Sequence, residues 1–345
     1  MSLFNELEEI ISIPGISGYE DPIRTYLAEK IQALDITPRV DAVGNLIAEI
    51  GSGEKNVALM AHMDELGLIV SYVEQNGYAR FRKINGIDDR TLAGRAMNAL
   101  TENGVIPAII GLKPPHLMTD KSEQSKTIPS ENLYLDFGTR SREETQALGV
   151  DILTPVVFQK QFNVLNYDYI SARGLDDRFG CLVLLKVLEA LKEEALPFRI
   201  TFVWTVKEEI GLHGAKGIAA TLKIDYAIAV DAYTCADLPE VPFHYAPARL
   251  GEGPVLRVVD NLAMSDTFLR KFFQEVCKKH EIPLQAAMTG GGTDGSALQQ
   301  AGIPMLAVSV AFRYMHAPVE MIHRKDFEQL VEMIILCLKE FPKLF

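Results

Sequence analysis

Four apolar runs in this chain each lead into side chains that can hold a metal ion. VALMA (57–61) runs into His62-Met-Asp64, and the stretch 200–206 into Lys207-Glu208-Glu209. AIAV (227–230) is followed by Asp231, and the stretch 305–311 by a short segment ending in His316. A fifth candidate is the Asp176-Asp177 pair in ARGLDDRFG, just ahead of a long helical pattern that starts at Gly180. Singly, each has an ordinary explanation: a satisfied core histidine, a helix cap, a solvated strand end. Jointly they do not, because adjacent carboxylates at the end of a hydrophobic strand repel and desolvate one another unless a cation or a proton lies between them. A divalent cation removes that cost. Imidazole with carboxylate and no thiolate suits Zn²⁺, Co²⁺, Mn²⁺ or Fe²⁺ better than Mg²⁺ or Ca²⁺. Two histidines and three or more carboxylates can serve two ions ~3.5–4 Å apart if one carboxylate bridges. In the Glu208-Glu209 pair, one acid can bind metal while its neighbour stays free as a general base.

These residues can meet only if the strands carrying them end at one edge. In an open α/β sheet, ligands bind outside the carboxyl ends of the strands, so positions far apart in sequence share a crevice. Apolar spacing of three and four predicts helices over 3–13 and 20–34, with Asp21-Pro22 as the N-cap and first-turn signal of the second. Strand-like runs follow at 45–50, 57–61 and 66–73. From about 70 to 168 the texture changes to short β-type stretches (78–84, 105–112, 133–137, 155–162) broken by Gly, Pro and polar turns. This predicts a small β domain, residues 69–167, inserted into a catalytic domain made of 1–68 and 168–345. After Gly180, strands alternate with helices, including helical patterns at 265–279 and 326–339. The expected fold class is therefore α/β: a mixed, mostly parallel sheet flanked by helices, with an inserted small β domain.

Composition narrows the partners. The 345 residues carry 34 Lys+Arg and 46 Asp+Glu, a net charge of −12, and 48% are hydrophobic. A chain of this kind folds around a core, and its charge repels phosphate backbones and anionic headgroups, so neither nucleic acid nor membrane is an expected partner. No run of ~20 apolar residues occurs. The four cysteines are widely spaced with no C-x-x-C pair, and the first residues lack a basic, then apolar, leader pattern. Both point to a reducing, cytoplasmic setting.

Six blocks, AHMDELGLIV (61–70), ARGLDDRFG (172–180), VKEEIGLHGA (206–215), AIAVDA (227–232), TGGGTDGSA (289–297) and RYMHAPVE (313–320), together resemble one family. It is that of the tetrahedral-type, co-catalytic metal aminopeptidases, the glutamyl and deblocking group. GLKPPHL (111–117), LDFGTRSREETQALGV (135–150) and LGEGPVLRV (250–258) are similar to its connecting segments. The resemblance implies that His62 and Asp231 hold one metal and Glu209 and His316 the other, with Asp176 bridging. Choosing Asp176 over Asp177 rests on the family pattern. Glu208 is implied as the general base and Asp64 as the carboxylate that hydrogen-bonds and orients His62. Gly291 and Gly292 are implied to lie where a peptide substrate approaches. The glycine run lacks the GK[ST] ending of a phosphate loop.

The implied activity is removal of the N-terminal residue from short peptides. The implied cofactors are two divalent ions per subunit, Zn²⁺ or Co²⁺, with Mn²⁺ also compatible. The resemblance also implies that the inserted domain is a small β-barrel and that the state is a homo-oligomer, a tetrahedral dodecamer assembled through that barrel. Two alternatives stand beside this: an endoglucanase-like glycoside hydrolase, which also uses paired carboxylates, and a catalytically decayed peptide-binding relative. Among the other histidines, His213 is expected at the cleft edge or surface and His116 in an ordered loop. His244 and His280 are expected to be exposed, and His323 lies outside the RYMHAPVE motif.

Overall fold

Long apolar runs become strands buried along their length. A computed structural model describes residues 3–344. The chain opens with α1 (Leu3–Ser12), α2 (Asp21–Gln32), β1 (Arg39–Val40), β2 (Leu46–Gly51) and β3 (Asn56–His62). Next come β4 (Gly67–Val73), β5 (Ala79–Ile84), β6 (Ala96–Thr101), β7 (Gly104–Gly111), β8 (Tyr134–Asp136), α3 (Arg142–Ala147) and β9 (Pro155–Phe158). The chain returns through β10 (Phe162–Leu165), β11 (Tyr169–Ala172), α4 (Leu175–Leu191), β12 (Arg199–Thr205) and α5 (His213–Thr221). It continues with β13 (Tyr226–Val230), β14 (Tyr233–Thr234), β15 (Val255–Val259), α6 (Thr267–Lys279) and β16 (Gln285–Met288). It closes with α7 (Asp294–Gln300), β17 (Met305–Ser309), β18 (Ala311–Phe312), β19 (Glu320–His323) and α8 (Arg324–Glu340).

The main sheet has eight strands in the order β1-β2-β12-β3-β13-β17-β15-β16. Its four central strands, β12, β3, β13 and β17, are mutually parallel, and antiparallel pairs lie toward the edges. Every residue of β3 is buried, as a parallel strand covered on both faces requires. Its side chains alternate between two cores. Val57, Leu59 and Ala61 join a cluster with residues of α1, α2, α4, α6 and α8, whereas Ala58 and Met60 join one with α5 and α7. Strands β4-β5-β8-β7-β6-β9 close a barrel with its own core, including Leu68, Val70, Phe81, Ile110, Leu135 and Val156. Among the described residues no helix is long and apolar enough to cross a membrane.

Four local expectations change. Strand β6 escaped the sequence reading because AMNALT holds one β-branched residue and no aromatic; its pairing with β7, not its propensity, makes it a strand. The strand expected at 155–162 ends at Phe158 as β9 of the barrel, and β10, which begins at Phe162, pairs with β11 instead. The helix expected from Gly180 starts at Leu175, with non-helical backbone at Asp176 and Asp177, whose shared peptide is cis. Asp21 is not the cap of α2: Glu20 stands there without a side-chain cap bond, and its carboxylate accepts from the amides of Gly18 and Lys207.

Candidate metal centre

Parallel register brings the strand ends together. Thr205 at the end of β12 lies beside His62 at the end of β3, Met60 beside Ala229, and Val230 beside Val308. The Lys207-Glu208-Glu209 corner, His62 and Asp231 therefore leave the sheet at one edge. The non-helical opening of α4 adds Asp176, and the loop after β18 adds His316.

Two trios form. One ligand atom each from His62, Asp176 and Asp231 lie within 4.8 Å of one another, and so do those of Asp176, Glu209 and His316. Asp176 belongs to both: its Oδ1 is 3.2 Å from His62 Nε2 and its Oδ2 is 3.4 Å from His316 Nε2. His316 Nε2 lies 3.8 Å from Glu209 Oε1. Asp177 turns elsewhere. Its Oδ2 accepts from the His62 amide at 3.1 Å, and its carboxylate lies over Gly180, where a Cβ would come within 2.4 Å of either oxygen. His62 Nδ1 meets the Asp64 backbone carbonyl at 3.0 Å, which favours the tautomer that leaves Nε2 free as a ligand. The Asp64 carboxylate is farther from that ring, at 3.6 Å. It accepts instead from Ser17 Oγ at 2.5 Å and from the amides of Glu208 and Glu209 at 3.0 and 3.2 Å. Asp64 thus orients His62 chiefly through its main chain, and its side chain pins the glutamate corner.

The sequence pattern of the family described as M42 glutamyl aminopeptidase matches residues 44–333. The chain belongs to that family. The lysyl aminopeptidase of Pyrococcus furiosus is 32% identical over 339 residues, spanning 97% of this chain and 96% of that protein. The TET1 peptidase of Pyrococcus horikoshii, described as assembling into a tetrahedron or a large octahedral shell, is 41% identical with a TM-score of 0.91, over 97% and 98% of the two chains. A protein described as an endoglucanase from Thermotoga maritima superposes less closely, at 29% identity and TM-score 0.80 over 97% of each chain. As an M42 aminopeptidase the chain is a metal-dependent hydrolase of peptide bonds.

The electrostatics of the M42 site call for added positive charge. Burial, then the neighbouring Asp176, pushes Glu209 up to about 8 against the pull of His316. Burial and the Asp176 charge likewise lift Asp231 to about 7. Glu208 is held well above the usual carboxylate range by burial, then by Asp231 and Glu209. Asp176 goes the other way: despite burial, hydrogen bonds from His316 and His62 hold it far below its usual range. The imidazoles respond in kind. Burial would lower both, yet Asp176 and Asp64 hold His62 well above its usual value, and Asp176 and Glu209 bring His316 to about 9. Positive charge is thus favoured on both sides of Asp176. Among the described residues the buried Glu209 Oε1 has no hydrogen-bond partner. Divalent cations, one per trio, fit these nitrogen and oxygen donors.

Both trios line a cavity of about 260 Å³ together with Glu208, Arg257, Leu262, Gly291 and Gly292. A neighbouring space of about 580 Å³ shares Gly291, Met315 and His316 and is bounded on the barrel side by Gly86, Asp88 and Arg90. A Cβ on Gly86 would come 2.8 Å from His316 Nδ1, so the barrel loop rests against the His316 ring and glycine is needed there. Sequence reasoning missed Gly86 and Arg257; the Asn85-Gly86 dipeptide signals a turn but gives no hint of what it covers. The remaining histidines lie outside the trios. His323 Nδ1 accepts from the Lys325 amide at the start of α8, His280 pairs with Glu340, and His116, His213 and His244 are exposed.

Proposed function

We propose that this M42 aminopeptidase holds one divalent ion on His62, Asp176 and Asp231 and a second on Asp176, Glu209 and His316, and that Glu208 is its general base. The observation that carries this reading is the division of Asp176, whose two oxygens face two different histidines. Zn²⁺ or Co²⁺ fits the donors best, and Mn²⁺ is compatible. Bound there, such cations act as Lewis acids that polarise a peptide carbonyl and acidify water.

The chain's own residues do the rest. Glu208 faces the cavity outside both trios, with its amide fixed by Asp64, and so is placed to take a proton from the attacking water and return it to the leaving amine. Arg257 donates to the carbonyls of Ala232 and Gly290 and anchors the glycine loop. Gly291, at φ +84°, and Gly292 add no side chain of their own to that wall, and a Cβ on Gly292 would strike Leu262, so the backbone of a short peptide can approach the loop. The Thermotoga neighbour supports a glycosidase alternative, but paired-acid chemistry needs no imidazole-containing trios. A decayed site is disfavoured because every ligand position is filled.

The test strips the protein with a chelator and titrates Zn²⁺ or Co²⁺ back. Two ions per chain and metal-dependent cleavage of an amino-acid anilide are expected, with no cleavage of a cellulose-type oligosaccharide. Metal-free turnover of the anilide, or cleavage of the oligosaccharide, overturns the reading.

Assembly belongs to the same proposal: residues 69–167 are the assembly domain of a tetrahedral dodecamer, and 1–68 with 168–345 the catalytic domain. The described assembly of the P. horikoshii peptidase supports this, as do the exposed apolar residues Val105 and Ile109 on one face of β7 and Leu112 and Leu117 beyond it. Scattering should give a twelve-subunit particle, and Val105→Asp with Ile109→Asp a smaller one with unchanged circular dichroism. A stable wild-type monomer sinks the assembly claim. Four free, buried cysteines support a cytoplasmic setting, and the acidic charge disfavours nucleic acid as a partner.

A further inference from the structure

We propose that Glu320 is a positioning residue that sets the geometry of both metal trios, and that Arg173 ties this setting to the seat of the barrel. The inference rests on the two-ion reading above. Glu320 is fully buried and surrounded by donors. Its Oε1 accepts from Arg173 Nη1 at 3.0 Å and from the His316 amide at 3.1 Å. Its Oε2 accepts from the amides of Gly174 at 3.0 Å and Asp176 at 3.3 Å. All four partners donate, so each carboxylate oxygen is held by two of them.

The two segments it holds need outside support. Asp176 has non-helical dihedrals at the opening of α4, and His316 has φ +62°, a left-handed conformation unfavourable for a residue with a Cβ. His316 lies in a turn outside any helix or strand. One carboxylate therefore fixes the main chain of the ligand shared by both trios and of the histidine belonging only to the second.

Arg173 carries the constraint outward. Its Nη2 donates to the carbonyl of Leu66 at 2.9 Å, one residue before β4, and its guanidinium lies 5.5 Å from the ring centroid of Phe158, the last residue of β9. It thus touches the points where the chain enters and leaves the barrel. Gly86 already places the barrel loop against His316, so the barrel meets the second trio both at the ligand ring and behind its backbone.

The experiment is Co²⁺ titration of full-length, metal-stripped Glu320→Gln, followed by calorimetry and by the visible spectrum of the bound ion. His316→Ala marks which binding step belongs to the second trio. In Glu320→Gln that step should weaken roughly 10–100-fold, the other step less, as for loss of a group that orients metal ligands. The Co²⁺ spectrum should change, and kcat should fall with KM little altered. Two wild-type affinities and an unchanged spectrum in the folded variant overturn the positioning role, even if its melting temperature drops. A wild-type protein that binds only one ion overturns the two-ion reading instead. Should Glu320→Gln not fold, Arg173→Lys keeps the charge and loses the fork to Leu66; it should weaken the second step, and unchanged affinity there overturns the proposal.

Discussion

Glu208→Gln should lower kcat about 10²–10⁴-fold while leaving both metal ions in place. The amide matches the carboxylate in shape but cannot accept a proton from water at neutral pH. Glu208 belongs to neither trio, and its backbone is pinned by Asp64 rather than by its own side chain, so the corner that presents Glu209 should persist. Elemental analysis and anilide kinetics on the same preparation separate the roles. Turnover near that of the wild type removes Glu208 as general base, and a fall in metal content makes it a ligand.

Asp176→Ala should be as severe for a different reason. Asp176 is the one residue common to both trios, so on the proposed two-ion reading its loss takes a ligand from each ion. Lewis-acid assistance is worth several kcal/mol, so activity should fall by roughly 10³-fold or more, with metal content below two per chain. Asp177→Asn is the control. Asp177 faces Gly180 and the His62 amide, and an asparagine oxygen can still accept that bond, so both ions should remain. If Asp177→Asn loses metal and Asp176→Ala keeps it, the two acids have been assigned in the wrong order.

Why these neighbours differ shows where sequence reading stops. The runs ending at His62, Glu208-Glu209 and Asp231 were legible because strand burial is a local property: an unbroken apolar stretch followed by acids or histidine is visible in a window of ten residues. The change of texture near residue 70 was legible for the same reason, and the barrel lies where that change is. Strand β6 was not, because its status comes from a partner strand and not from its own composition.

By itself, then, the order of residues determined that polar, metal-capable side chains stand at the ends of buried parallel strands, and that an α/β sheet carries a β insertion. Adjacent acids have the same composition, so composition could not choose between them, and only the family pattern pointed to Asp176. Tertiary structure decided that Asp176 faces both histidines while Asp177 faces Gly180, and that the Asp64 carboxylate holds the glutamate corner more closely than it holds His62. It also decided that Glu320 gathers donors from Arg173, Gly174, Asp176 and His316. The reason is physical. A hydrophobic period is set by neighbours along the chain, whereas the partners of a buried carboxylate are set by which distant segments the fold brings within hydrogen-bonding reach.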